Sequence, residues 1–163
     1  MDSKLNSYLS KYKIQYEEFK HSAVFTVEDS HKIGKEGKKE IPGLHCKCLF
    51  LKSDRRGLYL IGMPAVKRLD MKSLRKKLGV RKLHFASELE LFEKLKLKPG
   101  SVSIFGLINN NEKDVVLILD KEVWDAKEVG FHPNQNTATL VLEHEDLEKY
   151  FNSLENEKEV LEL

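Results

Sequence analysis

The stretch HCKCLFL, residues 45–51, sets a histidine, two cysteines and a lysine in four consecutive positions and then runs into aliphatic and aromatic residues. Over residues 44–52, Cys46, Cys48 and Phe50 fall on one side of an extended chain and Leu49 and Leu51 on the other. That pattern reads as a strand buried on both faces for much of its length. SDRRG, residues 53–57, then reads as a hairpin turn into LYLIGM, residues 58–63, the partner strand. Lys47 lies in the middle of the first strand, where an uncompensated ammonium is costly. Either strand curvature brings its amine to an edge and to water, or the amine is aimed into a pocket, where it can orient an anionic or carbonyl oxygen. The chemistry alone leaves the two readings level.

Working outward, DVVLILD (114–120) and TATLVLE (137–143) read as two more strands, and KIQYEEFKH (13–21) alternates as a strand does. Helices are expected where Leu5, Tyr8, Leu9 and Tyr12 recur at helical spacing, and over residues 70–78, with Asp70 as cap and Gly79 as stop. Ser87 with Glu90 forms a capping box for a helix ending before Pro99, and Thr26 with Asp29 resembles another, followed by a polar loop, GKEGKKEIPG (34–43). Leu147, Tyr150, Phe151 and Leu154 mark an amphipathic helix from Asp146 to about Leu154. Hairpin strands with interspersed helices predict an α+β fold. No repeat or Gly/Ser-rich linker divides the chain, so residues 1–163 are expected to form one domain, with an acidic helix and tail from about residue 143.

Hydrophobic residues make up 40% and charged residues 33%, the balance of a globular chain rather than a disordered or membrane-spanning one. No apolar run approaches the roughly 18 residues a spanning helix needs. The N-terminus MDSKLNSYLSKYK lacks the apolar core of a secretory signal, so a cytoplasmic protein is expected. In that reducing compartment a disulfide between the only two cysteines, Cys46 and Cys48, is disfavoured. On an extended strand their thiols share a face about 6.5 Å apart. A tetrahedral zinc, with Zn–S near roughly 2.3 Å, needs sulfurs within about 4 Å. The cysteines therefore read first as small buried apolar side chains, with a reactive thiol as the alternative and no metal.

Net charge is only +2, yet residues 143–163 hold eight acidic and two basic residues, leaving 26 basic against 18 acidic in residues 1–142. KSLRKKLGVRK, residues 72–82, contains Lys72, Arg75, Lys76, Lys77, Arg81 and Lys82 without an acid. It is either a solvated helix face or a patch that contacts phosphates. Two further loops stand out. KPGSVSIFGLINN (98–110) brackets a small polar turn with Gly100 and Gly106, and VGFHPNQNTATL (129–140) sets His132 just before a strand. Glycines there allow positive φ and close approach of the main chain to a ligand. By itself, a loop histidine is more often a turn or surface residue than a catalytic one.

VFTVED (24–29), IPGLHCKCLFLKSDRRGLYLI (41–61), LRKKLGVRKLHFASELELFEKLKLKPGSVSIFGLINN (74–110) and VGFHPNQNTATLVLEHEDL (129–147) together resemble the prolyl-tRNA editing family of YbaK/ProX type. These are freestanding deacylases related to the editing insertion of bacterial prolyl-tRNA synthetases, and the resemblance covers roughly residues 20–152. It implies a curved, mixed, largely antiparallel sheet with surrounding helices, and hydrolysis of the aminoacyl ester at the 3′ end of a mischarged tRNA. The family's conserved lysine, in a strand resembling HTKNLFL, falls on Lys47. Its glycine-rich loop falls on residues 100–104 and its FHP histidine on His132. The subgroup with FTVEE, PGAHTKNLFLKD, GSVTPFGLIND and FHPLTNTAT patterns removes alanine from proline tRNA, and this sequence is most similar to that subgroup. It departs where the family's Thr-Lys-Asn becomes Cys46-Lys47-Cys48 and where the loop proline becomes Ile104.

The resemblance thus points to Lys47, Gly100, Ser101, Ser103, Gly106 and His132 as catalytic, and to Cys48, Phe50, Ile104, Phe105 and Asn136 as the substrate pocket. Lys72, Arg75, Lys76, Lys77, Arg81 and Lys82 are then the tRNA-binding residues, with the mischarged acceptor end and prolyl-tRNA synthetase as partners and no membrane. No cofactor is called for. Three alternatives remain open at this point: a non-catalytic tRNA- or synthetase-binding module, a deacylase preferring another amino acid such as cysteine, and a cysteine-dependent hydrolase or redox sensor.

Overall fold

The computed structural model describes residues 1–22 and 41–163. The Thr26–Asp29 capping box, the VFTVED motif and residues 34–40 of the polar loop lie outside them. Helix α1 (Ser3–Lys11) starts where the Asp2 carboxylate accepts the Leu5 N–H at 2.7 Å, and it buries Leu5 and Leu9, one turn apart. Strand β1 (Glu17–Lys20) follows, then β2 (Leu44–Ser53) and β3 (Leu58–Pro64), the predicted hairpin. Its turn is closed by the Gly57 N–H, which donates to Ser53 Oγ at 3.0 Å.

Helix α2 (Met71–Leu78) is capped by Asp70 and stopped by Gly79 at φ +68°, and α3 (Glu88–Leu95) begins on the Ser87/Glu90 capping box. Both starts are as the sequence predicts. Between them lies β4 (Leu83–Phe85), and a 3-10 helix (Ile104–Asn109) precedes β5 (Val115–Asp120). A short helix α4 (Lys121–Asp125), β6 (Glu128–Phe131), β7 (Ala138–Glu143), α5 (His144–Ser153) and β8 (Lys158–Leu161) complete the order. The end of the acidic segment, expected as a tail, is thus a strand paired in parallel with β5.

The eight strands form one mixed sheet in the order β1-β7-β6-β2-β3-β5-β8, with β4 also on β2. Antiparallel pairing joins β1 to β7, β7 to β6, and β2 to both β3 and β4; the other three pairings are parallel. Helices surround the sheet, so the fold class is α+β.

Strand parity divides the core into two layers. Phe50, Leu60, Leu117, Phe131 and Leu140 face a large cluster that takes in Leu5, Leu91, Ile104, Phe105, Leu147 and Tyr150 from the helices. Leu51, Ile61, Met63 and Ile118 face a smaller one closed by Leu74 of α2. Cys46 and Cys48 pack against the large cluster and Leu49 against the small one, as alternation requires. One expectation needs amending. Residues 44–49 are half-buried rather than buried, and burial on this strand begins at Phe50. Among the described residues this stretch of β2 has an unpaired edge: its ladder to β6 ends at His45, and its ladder to β4 begins at Leu51. Over residues 46–49 no described strand lies alongside.

Candidate active site

The lysine is placed by this architecture. Lys47 pairs opposite Met63, which belongs to the small cluster, so its side chain leaves β2 on that face, away from the cysteines. No carboxylate or hydrogen-bond partner lies beside Lys47 among the described residues, and burial lowers the pKa of its amine. Such an ammonium, partly stripped of water and unmatched by a charge among the described residues, is suited to an anionic or carbonyl oxygen.

The opening beside Lys47 exposes main chain. Odd-numbered residues of β2 bond to β3, since Ala65 N–H reaches the His45 carbonyl at 2.8 Å and Ser53 N–H the Gly57 carbonyl at 2.9 Å. Even-numbered ones face the other edge, where the Phe50 carbonyl accepts from Ala86 N–H at 3.0 Å. The main chain of Cys48 therefore looks into the opening. Its thiol does not. Cys48 Sγ is buried beside the Ile104 N–H and burial pushes its pKa up to about 12; Cys46 is likewise raised well above its ordinary value by burial.

The glycine-bracketed loop sits on the cysteine side of β2. Gly100 has φ +86°, a conformation that favours glycine. Gly106 is required for a different reason than the sequence suggests: a Cβ there would lie 2.6 Å from Leu97 Cδ1, so its smallness serves packing within the loop. Ser103 Oγ caps the 3-10 helix by accepting the Phe105 N–H at 3.2 Å, and Tyr150 OH donates to the Ile104 carbonyl at 2.6 Å. The N–H groups of Ser101, Phe105 and Gly106 are bonded within the loop and that of Ile104 approaches Cys48. Among the described residues this leaves the N–H groups of Gly100, Val102 and Ser103 unengaged, the last on a completely buried residue.

His132 lies just past β6 and its Nδ1 faces the Ala138 carbonyl at 3.0 Å. A carbonyl only accepts, so Nδ1 carries the proton and Nε2 of the neutral ring keeps its lone pair. Burial lowers the His132 pKa, assisted by the neighbouring charge of His21 and opposed by the Ala138 bond. The two imidazoles stand 6.2 Å apart, and His21 Nε2 meets Thr139 Oγ1 at 2.9 Å. Thr139 alternates with Leu140 of the large cluster and so belongs to Lys47's face of the sheet. His21 and Thr139 carried no isolated sequence signal. Asn134 was also missed; its amide donates to the Phe105 carbonyl at 3.4 Å, tying the His132 segment to the loop.

The parallel register of β2 with β6 carries His132 to the level of Lys47, the loop lies on the opposite, cysteine side of β2, and several expected pocket side chains are buried in the core. Phe50, Ile104 and Phe105 are buried in the large cluster, and Ser103 is completely buried as well. Asn136 is half-buried between β6 and β7. Among the basic residues, Arg75 donates to the Arg81 carbonyl at 3.2 Å and Lys77 to that of Glu162, whereas Lys72 and Lys76 are exposed. Their helix α2 covers the small cluster, which puts the basic run on Lys47's side of the sheet. Two cavities lined by described residues lie apart from Lys47: one of about 670 Å³ beside Lys67 and Asp120, where that lysine is held by an ion pair of 3.0 Å, and one of about 220 Å³ beside Tyr16 and Asp146. Among the described residues, no cluster of His, Cys, Asp and Glu could hold a metal ion.

The model of the aminoacyl-tRNA editing domain matches residues 21–150, which includes Lys47, the loop and His132. The chain belongs to the aminoacyl-tRNA editing domain family. Among editing-domain relatives, a prolyl-tRNA editing protein of Acetoanaerobium sticklandii is 38% identical over 156 residues, covering 95% of this chain and 93% of its own. A prolyl-tRNA synthetase associated domain-containing protein of Bos taurus is 33% identical, covering 87% and 83%. A crystal structure of a candidate trans-editing enzyme for prolyl-tRNA synthetase superimposes with a TM-score of 0.74 at 17% identity, over 100% of this chain and 98% of that one, and so shares the editing-domain fold.

Proposed function

We propose that the protein is a trans-acting deacylase of mischarged tRNA, with alanyl-tRNA for proline as its substrate. The observation that carries the reading is Lys47: an ammonium on a half-buried strand, with no protein counter-charge among the described residues, beside an open strand edge and on the same side as a basic helix. Membership of the editing family and the names of the relatives in Acetoanaerobium sticklandii and Bos taurus support the same class of reaction.

In this mechanism Lys47 orients the aminoacyl ester, and the unengaged N–H groups of Gly100 and Val102, on residues that are not buried, serve the oxygen on which charge develops. Water adds to the ester carbonyl, the bond to the terminal adenosine's 3′ oxygen breaks, and that oxygen leaves with a proton. The neighbouring 2′-hydroxyl, as the family resemblance suggests, positions the water or relays the proton. The buried, protonated thiols of Cys46 and Cys48 are poor nucleophiles, which argues against the covalent cysteine alternative. Steric overlap in a small pocket rejects proline, a stronger filter than the roughly 1–3 kcal/mol that one methylene of favourable packing supplies. Association with prolyl-tRNA synthetase belongs to this reading as a route to freshly mischarged tRNA.

The test is release of free amino acid from proline tRNA charged with alanine, cysteine or proline. Alanine release is expected, with prolyl-tRNA left intact. Cysteine release alone would move the specificity, and no release above the buffer rate would leave a binding module.

A further inference from the structure

Phe85 is 62% exposed, although its cross-strand partner Leu51 is completely buried. A single exposed apolar side chain is ordinary on a protein surface. Three features of its placement separate Phe85 from that background. First, paired residues share a face, and Leu51 lies on the face of β2 that also carries Lys47 and Leu49, so Phe85 stands on the lysine's side of the sheet. Second, among the described residues β4 pairs with β2 alone, and Phe85 sits where the unpaired edge over residues 46–49 ends. Third, basic groups outnumber acids around it. Arg81 and Lys82 precede it, with the Asp54 carboxylate at the Lys82 N–H (3.3 Å), the run on α2 covers the same face, and the Glu90 carboxylate near β4 is neutralised by Lys52 at 2.7 Å. The remaining acids of α3 belong to a helix whose buried residues pack against the opposite layer.

We infer that Phe85 is a stacking platform for an unpaired base of the tRNA acceptor end, reached when the esterified terminal adenosine is at Lys47. The inference rests on the deacylase reading. Four residues of strand separate the registers of Lys47 and Phe85, roughly 13 Å at about 3.3 Å per residue. At a stacked rise of about 3.4 Å per nucleotide, that length spans the short unpaired acceptor end. An aromatic face flanked by cations takes up single-stranded bases regardless of sequence, since every base has a π-face. The site therefore grips what all tRNA ends share and leaves discrimination to the aminoacyl pocket.

The test uses the full chain with Phe85→Ala and Phe85→Trp, and tRNA carrying 2-aminopurine in place of each unpaired acceptor nucleotide before the terminal adenosine. Phe85→Ala is expected to raise KM for alanyl-tRNA about tenfold or more with kcat kept, while Phe85→Trp stays near the parent. The parent and the Trp variant should quench 2-aminopurine at one of these positions, and the Ala variant should not. Unchanged KM and quenching in Phe85→Ala would overturn the inference, as would intact tRNA binding with lost association to prolyl-tRNA synthetase, which would give the surface to a protein partner. A parent that releases no amino acid from any charged tRNA defeats the deacylase reading, and quenching by uncharged tRNA then still decides the platform.

Discussion

Replacing Lys47 by methionine separates a lysine kept for chemistry from one that merely reaches water. In the folded protein the amine is partly desolvated, sits across from completely buried Met63 and next to half-buried Leu49, and has no counter-charge among the described residues. A thioether of similar length removes that desolvated charge and adds about one methylene equivalent of apolar burial, near ~0.8 kcal/mol. For a chain of this size that corresponds to a rise in Tm of about 2–3 °C. Deacylation should move the other way, falling about 10²- to 10³-fold, the loss of one preorganised donor to the transition state. The pH dependence supplies a third readout. Because burial lowers the Lys47 pKa below its ordinary 10.5, the unfolded chain binds more protons just below that pH, so the parent gains stability as pH rises there and the methionine variant lacks this gain. Calorimetric melts together with single-turnover rates on alanyl-tRNA measure all three. A variant that melts at or below the parent's temperature and hydrolyses at the parent's rate would refute the argument and make the lysine a snorkelling surface residue.

Changing exposed Lys72 and Lys76 to glutamine should weaken tRNA binding and lower the log–log salt slope by roughly 1.4–1.8, at about 0.7–0.9 per phosphate contact, with the rate at saturating tRNA kept; filter binding across a salt series checks it. The Cys46→Ser/Cys48→Ser pair should retain deacylation, and the parent thiols should alkylate slowly with iodoacetamide near neutral pH, since burial holds both protonated and that of Cys48 up to about 12. For His132, whose folded pKa lies below its ordinary 6.5, stability should be full above that value and decline as pH falls from it through the folded pKa. If the Nε2 lone pair assists the reaction, the rate should decline with protonation of the folded ring, which a pH series with His132→Gln as the control reads.

Much of this fold is legible in the sequence because its elements are specified locally. Asp70 and Gly79 bound α2, Ser87 with Glu90 opens α3, and the alternation across residues 44–52 assigns the two faces of β2 correctly. The elements that escaped are those whose identity depends on a partner. Strand β4 is three residues long and exists because it pairs with residues 51–53 of β2, and β8 is a polar segment made a strand by the parallel ladder from β5. The FGL stretch looks like a glycine loop, yet Ile104, Phe105 and Leu107 are buried and wind into a 3-10 turn because the large cluster takes their side chains. Site residues divide along the same line. Lys47 is conspicuous as a charge among apolar residues, while His21 and Thr139 become neighbours of His132 only through the pairing of β1 with β7 and β7 with β6.

The two departures from the family pattern are best weighed by strand parity. A β-strand presents alternate side chains to opposite layers, so residues 46 and 48 can change character while residue 47 keeps its position and its face. In this chain the changed positions became thiols, small and apolar enough for the layer beneath Ile104, Gly130 and Tyr150. The group that Cys48 offers the open edge is its main chain, which is the same whatever side chain lies below. Ile104 follows equivalent logic: it replaces a ring in the loop, but its side chain is completely buried and its carbonyl is fixed by Tyr150 OH at 2.6 Å, so tertiary contacts hold the turn that a proline's locked φ would otherwise help to set. In the proposed mechanism the groups that act are the Lys47 side chain and the loop backbone, which those substitutions leave in place.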